Sequence, residues 1–461
     1  MKKFLTVILC LIMVVGMFSG CGDSAKKSDV VELTIGNWPN KDTDPELYET
    51  YNGYLEQMKE KYPNVKITPD STKIASNVFF TMAASGQLPT MFNVAYTEPQ
   101  RIINAGYAKD ITELAKKYGY VDATNEGALD VVTKDGKVYG IPYSLSSTRM
   151  WYNMNLFEKA GLVNADGTPK LPNTYEELAE TAKIIKDKTG KAGFTIMTKD
   201  TVGGWQFMNI AWSFGCEFMK KGSDGKWKAT FGSKEGAAAL QYIKDLKWKY
   251  NVLPENALID KNELIKLFAT DQVASSITTG GSWLSRPVFL FGMDRNKIAT
   301  GPIMAGPEGR YCQIGGNVWM FSSDSTDEQV EAALNFLAIK GETPELTEQS
   351  RMNREASIKA EYDAGNVVLN DQMSVWENKD RIETIEKMYD QYTNVDLKLH
   401  NLVAPEDRIL KAEEPVEAQK LYALLSEAMQ QVLIDENADC LKIMKEKAEI
   451  FQKDILDHQT Y

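Results

Sequence analysis

The chain has 461 residues, of which 43% are hydrophobic and 25% are charged, and its formal net charge is −12. These values are typical of a soluble globular protein, and the length predicts two or three domains. The acidic balance argues against nucleic acid as a partner and against electrostatic capture by anionic lipid.

The N-terminus has the layout of a secretory signal. Two lysines precede an apolar run at residues 4–18, and Ser19-Gly20-Cys21 follows, which is typical of a signal peptide with a small-residue cleavage site. As a helix the run would be about 22 Å long, short of the roughly 30 Å hydrocarbon core. Cys21 resembles the Cys of a bacterial lipobox, although Phe18 stands where Leu is usual. This implies residues 1–20 as a lipoprotein signal and lipidation of the Cys21 thiol; the alternative is an ordinary signal that leaves Cys21 free.

Cysteine and histidine are too sparse for several kinds of chemistry. Residues 21–29 are small and polar and predict a tether, after which only Cys216, Cys312 and Cys440 remain. Their odd number and wide spacing predict neither a disulfide framework nor a metal site. The two histidines, His400 and His458, are interpreted as solvated surface residues. We therefore expect no cofactor and no metal.

The first part of the chain predicts an α/β domain. Strands are expected at residues 31–35, 65–68 and 91–95, with helices at 45–63 and 74–85 between them. This βαβαβ order favours a largely parallel sheet, and ligands of such sheets lie outside the carboxyl ends of the strands. Four residues follow predicted strand ends and are candidates for ligand contact: Asn37, Trp38, Tyr96 and Glu98.

A second α/β run follows residue 150. Thr174 with Glu177 predicts a capped helix to about residue 188, and Ser325 with Glu328 predicts another through residue 339. Between them we expect strands at 194–198 and 273–278, helices at 235–250 and 261–269, and extended segments at 298–305 and 318–321. Beyond residue 340 the pattern is almost wholly helical, ending with helices at 415–434 and 438–456.

Several segments in order resemble the family 1 extracellular solute-binding proteins of ABC importers. Residues 136–162 read GKVYGIPYSLSSTRMWYNMNLFEKAGL, close to the family's G-K-x-Y-G-x-P-Y and Y-N-x-x-L-F-x-x-A-G-L. Further matching segments are residues 171–178 (LPNTYEEL), 268–283 (ending in Gly-Ser-Trp), 301–321 and 327–339. A departure is Thr270-Asp271, where a Gly-Lys pair is more usual.

The resemblance implies a periplasmic-binding-protein-like α/β fold with two lobes, a multi-crossover hinge and a ligand cleft between the lobes. Crossings are expected near residues 141–146, near 299–305 and after 340. Lobe 1 would then comprise residues 30–141 and about 305–345, and lobe 2 residues 146–300 and about 350–461 with the C-terminal helices. Hinge closure on a ligand is the expected motion.

Tryptophan placement predicts the chemistry of the ligand. Several tryptophans lie beside Gly, Asn or Ser at predicted strand ends or helix starts instead of inside an apolar face, namely Trp38, Trp205, Trp212, Trp283 and Trp319. Flat aromatic rings with polar side chains around them suit sugar rings, which have apolar faces and polar rims. In the resemblance, the position of Trp283 is the commonest stacking residue. For each of the five, the alternative is an ordinary tryptophan of a core or a lobe surface.

Polar candidates have structural alternatives as well. Arg149 could contact hydroxyls or a carboxylate, or form a salt bridge between lobes. Asn317 could face the cleft or stabilise a turn, and Glu98 could be a helix N-terminal charge. Asn164, Asp166 and Thr168 faintly resemble a calcium loop, but a plain turn is the stronger interpretation because acidic residues are few.

The sequence therefore predicts a non-enzymatic solute-binding lipoprotein that captures a carbohydrate, with an oligosaccharide favoured. Its expected partners are ABC permease subunits and, through Cys21, the lipid bilayer. It is expected as a monomer outside the bacterial cytoplasmic membrane. The alternatives are a secreted glycosidase with two carboxylates and a sugar-binding surface receptor without a permease. A polyamine site is disfavoured because no cluster of carboxylates lies near Trp205 or Trp283 in the sequence.

Overall fold

The structure is a computed structural model that describes residues 30–42, 45–72, 74, 76–371, 373–400 and 405–459. The predicted signal peptide, Cys21 and the tether at 21–29 lie outside the described residues. In the part of the chain that is described, no helix is both long and apolar enough to span a membrane.

The first α/β run has the predicted elements. In chain order up to the first long strand the elements are β1 (Val31–Ile35), α1 (Pro45–Lys61), β2 (Val65–Pro69), α2 (Ser76–Ala84), β3 (Met91–Ala95), α3 (Pro99–Asn104), α4 (Thr112–Lys117), α5 (Tyr120–Ala123), α6 (Glu126–Val131), β4 (Thr133–Lys134), β5 (Lys137–Val138) and β6 (Gly140–Asn153). Strands β1, β2 and β3 pair in parallel, as the βαβαβ pattern predicted.

The remaining elements begin where β6 ends. They are α7 (Met154–Ala160), α8 (Tyr175–Thr189), α9 (Asp200–Ser213), β7 (Met219–Lys221), β8 (Trp227–Ala229), α10 (Lys234–Trp248), α11 (Lys261–Ala269), β9 (Ser275–Thr279), α12 (Ser282–Phe291), β10 (Ile298–Gly301), β11 (Arg310–Phe321), α13 (Asp327–Lys340), α14 (Glu348–Asp363), α15 (Lys379–Tyr392), β12 (Arg408–Ala412), α16 (Ala418–Ile434) and α17 (Cys440–Asp454).

Eight strands form one mixed sheet that runs through both lobes. Its order is β10-β6-β11-β3-β1-β2, with β9 on β6 and β12 on β11. The two longest strands, β6 and β11, lie side by side and antiparallel. Because β6 and β11 pair antiparallel with most of their neighbours, the sheet is less parallel than expected from β1, β2 and β3 alone.

The molecule has two lobes with separate hydrophobic cores, and the long strands join them. On β6, Leu145 packs in the first core and Met150 in the second. On β11, Cys312 packs in the second core and Val318 in the first. The second passage between cores therefore falls near Gly315, later than the crossing expected at residues 299–305.

The C-terminal segment passes between the lobes again. Val375 and Trp376 pack in the first core, inside the range expected for lobe 2, whereas Leu399 and the residues of α16 pack in the second core. The chain therefore returns briefly to lobe 1 before its last helices, which is a correction to the expected division at about residue 350.

Three predictions of secondary structure differ from the structure. Residues 194–198 form no regular strand, because their backbone N–H groups donate to carbonyls of three separate segments. Phe194 donates to Val252, Thr195 to Ser275 and Thr198 to Ile259. The capping box before α13 uses Thr326 and Gln329, one residue later than expected. The C-terminal region contains a strand, β12, that pairs in parallel with β11; it was missed because only its long helices have clear periodicity.

Candidate ligand-binding cleft

The floor of the cleft is the point where β11 passes between the lobes, at Gly315 and Gly316. A Cβ at Gly316 would lie 2.1 Å from the carbonyl oxygen of Ser144 and 2.7 Å from Cζ of Tyr96. A Cβ at Gly315 would lie 3.4 Å from Oε2 of Glu413. The two glycines therefore let Tyr96 of lobe 1 and Glu413 of lobe 2 approach the hinge strand at adjacent residues.

Glu413 follows β12 directly and accepts hydrogen bonds from aromatic side chains. The hydroxyl of Tyr422 donates to Oε1 at 3.0 Å, and Gln313 Nε2 donates to the Tyr422 hydroxyl at 3.1 Å. The Trp205 side chain also hydrogen-bonds Glu413. Burial, with a smaller contribution from the charge of Glu98, raises the pKa of Glu413 to about 7. The residue as a whole is half-buried, and we interpret its carboxyl group as a recessed hydrogen-bonding group at the hinge.

Helix packing positions Trp205 beside Glu413. A Cβ at Gly204 would lie 2.1 Å from the carbonyl oxygen of Tyr422, so α9 and α16 touch backbone to backbone at this point. The Gly204 N–H donates to Ser426 Oγ at 2.7 Å across the same contact. Trp205, the next residue, packs against the edge of the second core and stays partly exposed. Gly204 is thus needed for close approach of two helices, not for a flexible cleft wall.

The lobe 1 wall carries charged and polar groups. Glu98 is 3% exposed and lies in the turn between β3 and α3. Its carboxylate binds Arg101 Nη1 at 3.1 Å and accepts from Thr97 Oγ1 at 3.1 Å. From lobe 2, Glu417 Oε1 binds Arg101 Nε at 3.1 Å. Tyr96, Glu98 and Trp205 are therefore brought together around the hinge, as candidates that sequence position alone had selected.

Arg149 forms a salt bridge. Its Nη1 lies 3.2 Å from Oδ2 of Asp371, whose side chain is 1% exposed, and Nη2 donates to the Asp371 carbonyl. Asp371 also accepts from Gly281 N–H at 2.9 Å. Burial raises the pKa of Asp371, although Arg149 opposes this. Arg149 thus ties β6 to the C-terminal segment beside Gly280-Gly281, and Trp283 follows as the second residue of α12.

His400 lies near this salt bridge and corrects one expectation. The residue is 4% exposed, and its Nδ1 shares a hydrogen bond with Thr300 Oγ1 at 3.2 Å. Burial, assisted by the positive charge of Arg149, lowers the pKa of His400 to about 4. It is therefore a neutral buried histidine at physiological pH and not a solvated surface residue.

Trp283 lies in α12, four residues after the end of β9. Its ring is partly exposed and packs on two small clusters of the lobe. The ammonium of Lys261 lies 3.8 Å from the ring centroid. A flat aromatic ring covered on one face by a cation is a platform from which a ligand could displace a lysine.

Three other tryptophan candidates are enclosed in the cores. Trp38 is 3% exposed and packs edge-on against Tyr51, with ring centroids 5.0 Å apart. Trp319 is 1% exposed, stacks on Tyr143 and donates to Glu342 Oε2 at 2.6 Å. Trp212 is 1% exposed and donates to Glu414. Their rings have no open face in this conformation, because each packs inward from its strand or helix.

The two asparagine candidates stabilise local backbone. Asn37 has φ 54° and its Oδ1 accepts from Asn93 N–H at 3.4 Å. Asn317 pairs with Ser144, through its own N–H at 2.9 Å and its Nδ2 at 3.2 Å. Both side chains are partly exposed. A backbone-stabilising role was the alternative considered from the sequence for Asn317, and ligand contact stays a prediction for both residues.

The loop at Asn164, Asp166 and Thr168 is internally hydrogen-bonded. Asn164 Nδ2 donates to Thr168 Oγ1 at 3.0 Å, and that hydroxyl donates to Asp166 Oδ1 at 2.7 Å. The loop borders a polar cavity of about 190 Å³, whose lining includes Asp396 and Lys398. Within the described ranges, no group of three or more His, Cys, Asp or Glu residues is placed to hold a metal ion.

The three described cysteines are buried free thiols: Cys216, Cys312 and Cys440. Burial raises the pKa of each thiol, which disfavours the reactive thiolate.

Several residues of the cleft were missed from the sequence because they come from the C-terminal segment. Asp371, Glu413, Glu417 and Tyr422 reach the cleft only through the late return of the chain to the hinge. The one local signal was Glu413-Glu414-Pro415, two acidic residues before a proline at which the sequence predicts the start of a helix.

Comparisons with known proteins agree with this architecture. The sequence profile of the bacterial extracellular solute-binding proteins matches residues 42–342. The arabinooligosaccharide-binding protein of Bacillus subtilis (strain 168) is 26% identical over 353 residues, which cover 73% of this chain and 76% of the relative.

Solved structures show the same fold at low identity. A solute-binding protein of Thermotoga lettingae bound to α-D-tagatose superposes with a TM-score of 0.67 and 19% identity, covering 92% of this chain and 99% of that one. The GacH receptor of Streptomyces glaucescens, studied without ligand and with acarbose, superposes with a TM-score of 0.66 and 16% identity, covering 94% and 100%.

The chain belongs to the bacterial extracellular solute-binding protein family. Its fold is that of two-lobed periplasmic binding proteins, as the sequence segments predicted.

Proposed function

We propose that this protein is the extracellular receptor of an ABC importer and that it binds an oligosaccharide between its lobes. The observation that carries the proposal is the group at the hinge. Trp205 and Tyr422 hydrogen-bond the carboxyl group of Glu413 on lobe 2, and the charge of Glu98 on lobe 1 acts on the same group. Aromatic rings would stack on the apolar faces of sugar rings, while carboxylates would accept hydrogen bonds from the sugar hydroxyls.

The name of the Bacillus subtilis relative makes arabino-oligosaccharides the first ligands to test. The mature chain from Gly22 would be unfolded thermally with arabino-oligosaccharides, maltodextrins and their monosaccharides. A ligand at a hundred times its Kd adds about 2.7 kcal/mol to the free energy of unfolding, which raises Tm measurably. No shift with any saccharide would contradict the carbohydrate assignment.

Binding without chemistry is part of the proposal. The Bacillus subtilis relative is a binding protein by name, which supports a non-enzymatic role. Recovery of the saccharide intact after incubation with a stabilised sample is the expected result. Cleavage of the saccharide would favour the glycosidase alternative instead.

We also propose that Cys21 is the lipid attachment site and that the protein acts as a monomer beside its permease. Labelled palmitate should enter the wild-type chain and not Cys21→Ser, and this variant should be released from the membrane fraction. Cys440→Ser is the matched control because that thiol is buried in lobe 2. Equal membrane association of wild type and Cys21→Ser would contradict the anchor.

A further inference from the structure

The lobes touch through an ionic contact that is separate from the hinge strands. Helix α3 of lobe 1 supplies Arg101, and the N-terminus of α16 in lobe 2 supplies Glu417. Arg101 Nε and Glu417 Oε1 are 3.1 Å apart, and the two side chains are 19% and 4% exposed. Gln419 Nε2 donates to Thr97 Oγ1 at 3.3 Å beside them. Two residues at the start of α16 therefore bind two residues of lobe 1 that flank the start of α3.

Glu417 is held in place by its own lobe. Lys420 Nζ lies 3.1 Å from its Oε2, and Gln459 Nε2 donates to its Oε1 at 3.2 Å. The backbone of Glu417 has φ 50°, a left-handed conformation that disfavours residues other than glycine. The carboxylate is thus positioned by lobe 2 at a local backbone cost, with one oxygen directed to lobe 1.

Arg101 is held in a corresponding way by lobe 1. Glu98 binds its Nη1 at 3.1 Å, and the guanidinium stacks over the Phe80 ring at 4.8 Å from the centroid. The guanidinium fork therefore uses one edge within lobe 1 and presents Nε to lobe 2. Neither side chain has to be ordered when the lobes meet, which lowers the entropic cost of the contact.

We propose that Arg101 and Glu417 form a latch that holds the lobes closed before any ligand arrives. The inference rests on the proposed function, because a latch has a role only in a hinge that opens for a solute. If the lobes separate, Arg101 stays paired with Glu98 and Glu417 stays paired with Lys420. No buried charge is left alone, so this contact breaks far more easily than an isolated buried ion pair. That property suits a contact that forms and breaks in each binding cycle.

The latch acts on binding by shifting the equilibrium between open and closed lobes. A ligand that binds the closed form has an apparent Kd that rises as the closed fraction of free protein falls. A tenfold loss of the closed fraction therefore weakens binding tenfold. The latch also slows ligand entry, because the closed lobes cover the cleft.

The test uses ligand-free protein, so that it does not depend on the identity of the solute. Small-angle X-ray scattering would compare the radius of gyration of wild type, Arg101→Gln, Glu417→Gln and the double variant. We expect each single variant to have a larger radius than wild type, and the double variant to match the singles because all three remove one contact. Thermal unfolding of each variant shows that it is folded.

Lys117→Gln is the matched control. Lys117 pairs with Glu331 within lobe 1, so this variant removes the same charge and a salt bridge without touching lobe 2. Its radius should equal that of wild type. Unchanged radii in Arg101→Gln and Glu417→Gln, or equal expansion in Lys117→Gln, would overturn the latch. If wild type binds a saccharide but the two single variants keep the wild-type radius, only the latch is rejected. If the variants expand but wild type binds no saccharide, only the carbohydrate assignment is rejected.

Discussion

The two lobes present different chemistry to the cleft. Lobe 1 contributes Thr97, Glu98 and Arg101, and its tryptophans Trp38 and Trp319 are enclosed in its core. Lobe 2 contributes the partly exposed rings of Trp205 and Trp283. We infer that a sugar would dock on the aromatic surface of lobe 2 first and that lobe 1 would close over it with polar groups.

The contrast between these tryptophans shows what a strand-end position leaves undecided. Trp38 lies shortly after β1, and its backbone N–H donates to the Asp70 carbonyl at 2.9 Å. The backbone therefore keeps pairing beyond the strand and turns the Trp38 ring inward. Trp205 lies on α9, and the preceding residue, Gly204, faces α16. The Trp205 side chain is therefore left at the edge of the second core. The direction of the backbone after an element decides whether the ring is core or platform.

The largest effect is expected for Trp319→Ala, which should cost about 3–5 kcal/mol of the free energy of unfolding. The change removes a fully buried ring and its hydrogen bond to Glu342. Urea unfolding followed by circular dichroism would measure it. Trp38→Phe and Trp319→Phe are the matched controls. The Trp38 indole N–H has no hydrogen-bond acceptor among the described residues, so Trp38→Phe should cost less free energy of unfolding than Trp319→Phe. A similar cost for Trp205→Ala would erase the distinction between core and platform.

Glu413→Gln should stabilise the protein at alkaline pH. The pKa of Glu413 is raised to about 7, so its favourable contribution is complete below pH 4.5 and is lost as pH rises through 7. The variant cannot ionise, so its advantage should grow from near zero below pH 4.5 to about 3 kcal/mol at pH 8. Unfolding midpoints at both pH values would measure it, with the exposed Glu446→Gln as control. An advantage that is constant with pH would show that ionisation is not the cause.

Trp205→Ala should weaken saccharide binding while leaving the fold intact. Loss of one stacking ring at a binding centre costs about 2 kcal/mol, or roughly 30-fold in Kd. Isothermal titration calorimetry would measure this with the saccharide that gives the largest rise in Tm. Trp205→Phe keeps an aromatic ring but loses the hydrogen bond to Glu413, so its Kd should lie between those of wild type and Trp205→Ala. Unaltered affinity in Trp205→Ala would move the binding surface away from the hinge.

The smallest effect is expected for Lys261→Ala. The Lys261 ammonium lies over the Trp283 ring, both residues are half-buried, and such a contact is worth about 0.5–1 kcal/mol where solvent still reaches it. If a sugar displaces it, the variant should bind about 2–5-fold more tightly. Lys266→Ala, exposed on the same helix, should leave the affinity unchanged. Weaker binding by Lys261→Ala would instead make Lys261 a ligand contact.

The sequence by itself determined most of the local structure and the family. Elements such as β1 and α11 have the predicted bounds because alternation, helical periodicity and capping residues are local signals. The ordered segments from residue 136 onward resemble those of the solute-binding family, which the comparison with the family confirms, and this resemblance implied the two-lobed fold.

Only the tertiary structure decided which residues meet. Trp205 and Glu413 are neighbours although more than two hundred residues separate them. The sequence shows no carboxylate cluster near Trp205, which is why a polyamine site is disfavoured at that level, whereas the fold brings the Glu413 carboxyl group beside it. The contact depends on β12 pairing with β11 and on Gly204 letting α16 approach α9. Arg101 and Glu417 meet for the same reason. Long-range packing of the C-terminal segment has no local periodicity, so it leaves no pattern in the sequence from which the cleft could be assembled.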